Sequence, residues 1–336
     1  MKRILLMLIG CLCLAAIGCR RPSNPVEKKA EPSIGVPEVQ VPLTTLHPSA
    51  TIELGGNPDW MAMTENAVWV SNSRLKAVQR ISPLTNKVVA TVHFPSPPCS
   101  GLTFSFGSLW VPLCGNPPRL ARVNARTNRI TATLRIGPAD SEGGITSNSN
   151  SVWLVTNKNG TLVRINPKTN SVRQKISIPH GSFNPLFSDG IIWITGFDTN
   201  ALTAVDALSG KMIASIPVGP KPRFLTVGDG SIWTLNQGDG SVTRVDIGSN
   251  RVINTIAANI PGEGGEICFG AGSVWTTLFK VPLTRIDANS NRVLRQWTGP
   301  GGDSVRFGHN SIWLTDYKRG LLWRIPQDQV LDTHLH

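Results

Sequence analysis

Six side chains of this 336-residue chain have the chemistry of a ligand site: Trp60, His180, Asn184, Arg223, Glu266 and Asp303. Trp60 and Glu266 each stand nine residues before a tryptophan, Trp69 and Trp275. Arg223 and Asp303 each stand ten residues before one, Trp233 and Trp313. A shared offset implies a shared place in a repeated unit. A carboxylate, an arginine and an aromatic ring brought to one mouth would bind a polar ligand with a flat apolar face. The plainer alternative is salt bridges and packing between units, and it stays open at this point. No catalytic residue is assigned. Cysteine and histidine spacings do not fit a zinc site, and neither a Gly-x-Ser-x-Gly elbow nor a phosphate-binding loop occurs. Gly264-Gly265 and Gly301-Gly302 read as tight turns. Asp198 and Asp239 read as turn caps and not as calcium ligands. No metal is expected, and the sequence names no cofactor.

The elements that must position these residues are set by the tryptophans. Seven share one local pattern, at 69, 110, 153, 193, 233, 275 and 313, with spacings of 41, 43, 40, 40, 42 and 38 residues. Each sits in a short run of Val, Ile, Leu and Thr, and each follows a turn such as Phe106-Gly107 or Asp229-Gly230. Gly and Asn accept the positive φ that hairpin turns need. A third run follows, as in Val242 to Asp246, then a turn such as Gly248-Ser249-Asn250, then a fourth run from Arg251 to Ile256. Helical periodicity is almost absent. Four strands per period of about 40 residues is one propeller blade, so the fold is expected to be all-β, a seven-bladed β-propeller. The seventh unit runs out after Leu321 to Ile325. Thr51 to Leu54 looks like a fourth strand without its first three. The N-terminal strand is therefore expected to close the ring by completing blade seven, removing an open edge.

The pattern GSVW…L.RID..TNRV, over about residues 48–333, resembles the bacterial YVTN-type β-propeller family. That resemblance implies the architecture and no single activity. It extends more distantly to streptogramin-lyase-like propellers, whose site uses histidines and a glutamate with a magnesium ion. Here His93, His180 and His309 lie within the blades and His334 and His336 in the tail, none in the Pro-His-Gly-Ile setting such a site needs. Lyase activity is disfavoured on that ground. In a propeller the loops entering the first strand and leaving the second share the mouth face, where ligands bind. Besides the six residues above, those loops carry Asp59, Lys158, Phe197 and Asp198.

The ends read differently. Residues 1–19 form a signal peptide: Met1-Lys2-Arg3, then an apolar run to Gly18, then Cys19. Ala16-Ile17-Gly18-Cys19 resembles a lipobox, with Cys19 the lipidation site, although Ala16 replaces the preferred Leu; an ordinary signal peptide is the other reading. Residues 20–47 are rich in proline and charge and read as a flexible tether. Residues 48–336 are the propeller. Cys99 and Cys114 are symmetric about Phe106-Gly107, so a two-residue turn would set them opposite each other; export favours a disulfide over two buried thiols. The net charge is +12, and +9 beyond residue 47, from 27 basic against 18 acidic residues. Arg80, Arg122, Arg164, Arg244, Arg285 and Arg324 come in phase, which points to structure before nucleic acid, and the aromatic interleaving of single-strand binders is missing. Three functions remain. The first is an exported, periplasmic or cell-envelope module, held to a membrane by a lipid anchor, that binds a protein or small polar ligand at its mouth. The second is an enzyme of the lyase or lactonase kind using Glu266, Arg223 and His180. The third, less favoured, is a polyanion binder.

Overall fold

The computed structural model describes residues 34–331; the expected signal sequence with Cys19, and His334 and His336, lie outside them. Each tryptophan repeat forms one antiparallel four-stranded sheet, and the first strands of successive sheets touch in sequence round a closed ring of seven blades. Blade five shows the unit: Pro222–Gly228, Ser231–Asn236, Ser241–Asp246 and Arg251–Ile256. The all-β seven-bladed propeller is thus the observed fold.

The blades stack because neither face of a four-stranded sheet can bury itself alone. All seven tryptophans are fully buried between sheets. Each pairs, across the second and third strands, with one fixed position: Trp69↔Arg80, Trp110↔Arg122, Trp153↔Arg164, Trp193↔Ala204, Trp233↔Arg244, Trp275↔Arg285 and Trp313↔Arg324. Each of the six guanidinium groups lies 4.7–5.9 Å from its tryptophan ring. Each then reaches the next blade. Arg122 donates to Pro167 O and Asn170 Oδ1, and Arg244 to Ala288 O and Asn291 Oδ1. The accepting asparagine has φ near +55°. Asn tolerates that conformation and still presents an acceptor, so one residue makes the turn and receives the clasp.

The exceptions follow the sequence. Ala67 stands where five blades place a serine, and Arg80 Nε is left without a partner. Blade four carries Ala204 in place of arginine, and the Asn250 Oδ1 that would receive it is buried without a partner among the described residues. The phased arginines are accordingly structural. Ring closure uses both devices. Ala50–Glu53 pairs antiparallel with Leu321–Pro326, and Arg324 donates to Pro83 O and Asn86 Oδ1 of blade one.

One boundary differs from expectation. The tether does not run to residue 47. Gln40–Pro42 pairs in parallel with Arg292–Thr298 as a fifth strand of blade six, and Leu43 and Leu46 are buried with Trp297 and Trp323. Val41, Leu43 and Leu46 have enough apolar surface to dock, but the surrounding prolines mask the strand pattern. The segment after Pro326 is a short helix, Gln327–Leu331.

Candidate functional site

At the mouth, three first strands carry irregular pairing at their entering ends: Pro58–Met61, Ser182–Pro185 and Pro222–Phe224. Such bulges turn side chains out of the ladder. They re-aim Asp59 and Trp60, Phe183 and Asn184, and Arg223. The expected residues then divide between two cavities.

The outer cavity, of about 230 Å³, lies between blades three and four. Ala139, Val155, Phe183 and Phe197 form its apolar floor, and two ion pairs and a histidine–aspartate contact ring it. Lys158 Nζ lies 2.7 Å from Asp140, His180 Nδ1 lies 3.2 Å from Asp198, and Arg223 Nη2 lies 2.9 Å from Glu142. The Arg223 guanidinium sits 4.2 Å from the centre of the Phe183 ring, and its Nε has no partner. Glu142 is held at φ +60°, a conformation unfavourable for a residue with a Cβ. The disulfide explains what holds it. Cys99 and Cys114 are joined, and Cys99 O accepts the Glu142 N–H at 2.7 Å while Gly143 O accepts from Gly101. The cross-link in blade two therefore braces the loop that presents Asp140 and Glu142.

The inner cavity, of about 120 Å³, is the channel along the axis. Trp60, Asn184, Glu266 and Arg306 line it. Glu266 is buried and forms an ion pair with Arg306. Asn184 donates to Glu142 O and Arg223 O, tying the channel to the outer cavity. Trp60 packs edge-on against Phe224 at 5.5 Å. Asp303 lies beside the channel, accepting from Gly265 N at 3.4 Å, and its backbone carbonyl accepts from Thr277. Burial, helped by the charges of Glu142 and Glu266, pushes the Asp303 carboxyl up to about 7. Burial and the neighbouring carboxylates Asp303, Glu266 and Glu142 raise Asp59 as well. Burial also raises Glu266, against the pull of Arg306. Among the described residues no group of three or more histidine, cysteine or acidic side chains is placed to hold a metal ion.

Trp60, Asn184 and Glu266 thus meet in the channel, Arg223 and His180 meet in the outer cavity, and Asp303 joins Asp59. Glu266, Arg223 and His180 do not meet in one cavity. Sequence reasoning missed Asp140, Glu142, Phe183 and Arg306. Asp140 and Glu142 lie in the loop that lengthens the spacing before Trp153, a signal the repeat did carry. Arg306 stands seven residues before Trp313 and had no counterpart to mark it.

Set beside known proteins, the chain is similar to solved propellers in backbone. The streptogramin B lyase structure superposes with a TM-score of 0.69 at 15% identity, over 82% of this chain and 96% of that one. The computationally designed Ika8 protein superposes with a TM-score of 0.61 at 12% identity, over 82% and 99%. These are likenesses of fold. No protein-family model matches the chain, the YVTN-type family included, and no curated protein matches it.

Proposed function

We propose that this protein is an exported, lipid-anchored binding module that takes a small polar ligand with a flat apolar face at its mouth. The observation that carries the reading is the outer cavity. An apolar floor ringed by two ion pairs and the His180–Asp198 contact offers stacking surface at the centre and both donors and acceptors at the edge. Arg223, which lines the cavity stacked on Phe183 and paired with Glu142, is the anchor. The basic signal sequence and Cys19 support export and acylation. A thermal-shift screen of small planar carboxylates and amides tests the ligand reading. A ligand at about 100 times its Kd stabilises by about 2.7 kcal/mol, and Arg223→Ala is expected to abolish that shift. A shift unchanged in Arg223→Ala would remove the mouth as the site. Labelled fatty acid incorporated into the parent but not into Cys19→Ala would support the anchor; incorporation into neither removes it.

A second reading, an enzyme of the lyase or lactonase kind, draws on one observation. A carboxyl that titrates near neutrality, as Asp303 does, suits proton transfer. Against it, the polar set of Glu266, Arg223 and His180 is split between two cavities. Loss of ring-opening or elimination activity in Asp303→Asn, with mouth binding intact, would favour the enzyme.

A further inference from the structure

The face opposite the mouth carries a groove of about 340 Å³ where blades two, three and four meet. Its charged lining residues are Arg164, Lys168 and Arg173, and none of the residues lining it is acidic. Phe106 and Leu208, 37% and 81% exposed, form its apolar ends. The centre of interest is Arg164, the clasp of blade three. It is only 6% exposed, and its two hydrogen bonds are the fewest made by any of the six clasps. It donates to Ser151 Oγ at 2.7 Å and to Leu208 O at 3.3 Å. Arg122, by contrast, reaches Ser108, Pro167, Asn170 and Phe106.

Two local departures from the repeat strip Arg164 of partners. The turn of blade four that should receive it has Gly210 (φ +76°) where other blades place asparagine, so the side-chain acceptor is gone. The first hairpin turn of blade three, Ser149-Asn150, lacks the positive φ found at Phe106-Gly107 and Asp229-Gly230. Asn148 Oδ1 ties down the Asn150 and Ser151 N–H groups there, and the turn does not present the carbonyl that Phe106 and Asp229 offer elsewhere. The result is a buried guanidinium with an unfilled donor edge, facing a groove that supplies positive charge and no counter-charge. Burial and the nearby Arg173 cation both work against its charge. A buried cation of this kind is stabilised by an anion that can take a forked pair of hydrogen bonds.

We propose that this groove binds a phosphate-class oxyanion, held by the free edge of Arg164 and by Arg173 and Lys168. Asn150 and Asn166 supply further polar contacts along the wall, and Phe106 and Leu208 would receive an apolar body attached to the anion. The site is independent of the mouth: the two cavities share no lining residue.

The test is titration calorimetry of the full chain with inorganic phosphate and with phenyl phosphate, at low salt. Saturable binding of one equivalent is expected. Arg173→Gln, an exposed change, is expected to weaken it about tenfold, the size of one charge-assisted contact. Gly210→Asn restores the missing acceptor and is expected to weaken binding by occupying Arg164. Arg223→Ala is expected to leave it unchanged. Phenyl phosphate binding more tightly than phosphate assigns an organic phosphate as the ligand; equal affinities assign the free anion. Failure of both probes to bind saturably overturns the proposal, as does equal binding by the parent and Arg173→Gln. A loss of binding in Arg223→Ala would return the anion to the mouth and overturn it too.

Discussion

Replacing Asp303 by asparagine should make the protein more stable at alkaline pH. The Asp303 carboxyl lies beside Asp59, Asp303 is buried and Asp59 half-buried, and Glu142 and Glu266 add negative charge nearby. Raising it from 3.8 to about 7 means the folded protein holds that proton more tightly than the unfolded chain. The stabilisation this provides is complete below the unfolded value and is lost as pH rises through about 7. The full difference corresponds to about 4 kcal/mol. Above pH 8 the parent carries a buried Asp303 carboxylate that Asp303→Asn does not. The variant keeps an oxygen to accept from Gly265 N and an amide to donate toward Asp59. It is therefore expected to exceed the parent by up to about 4 kcal/mol at about pH 8.5. For a domain of this size that is about 8 °C in Tm, at roughly 2 °C per kcal/mol. Near pH 4 the two should melt together. The assay is a set of paired thermal melts between these limits. Carboxyls with lowered pKa values, Asp140, Asp206 and Asp246, tilt both curves in the opposite sense and cancel in the comparison. Asp59 and Asp303 titrate as a pair, so removing one also relaxes the other. A variant that melts below the parent at high pH, or a difference independent of pH, would refute the reasoning.

Further outcomes follow from the clasps and the cross-link. Arg324→Ala removes the donors to Pro83 O and Asn86 Oδ1 across the closing seam and should cost about 3 kcal/mol in urea unfolding. A loss below about 1 kcal/mol would mean that the strand Ala50–Glu53 closes the ring unaided. The pair Ile191→Ser and Ala204→Arg rebuilds the missing clasp of blade four toward the orphaned Asn250 Oδ1, and should raise the urea midpoint by the equivalent of about 1 kcal/mol; a lowered midpoint would show that the apolar seam is the better filling. Replacing Cys99 and Cys114 by serine opens a loop of 15 residues and should cost about 3 kcal/mol. It should also weaken ligand binding at the mouth through Glu142, and an unaltered mouth affinity would show that the brace is not needed.

What repeats was legible, and what does not repeat was not. The tryptophan, its arginine partner and the turn asparagine recur with one period, so blade number, ring closure and the structural role of the phased charges could be read from spacing. The disulfide was legible because both cysteines belong to one hairpin. The mouth behaves otherwise. Glu142 meets Arg223 from a loop two blades away, and Glu266 meets Arg306 from the next blade, so neither pair has a sequence offset of its own. Bulges place Asp59, Phe183 and Arg223 off the register that a strict repeat would assign them. Function therefore concentrates where the period breaks. The same holds on the opposite face, where Gly210 and the conformation of the Ser149-Asn150 turn are departures from the repeat, and together they leave Arg164 with a donor edge that no neighbouring blade fills.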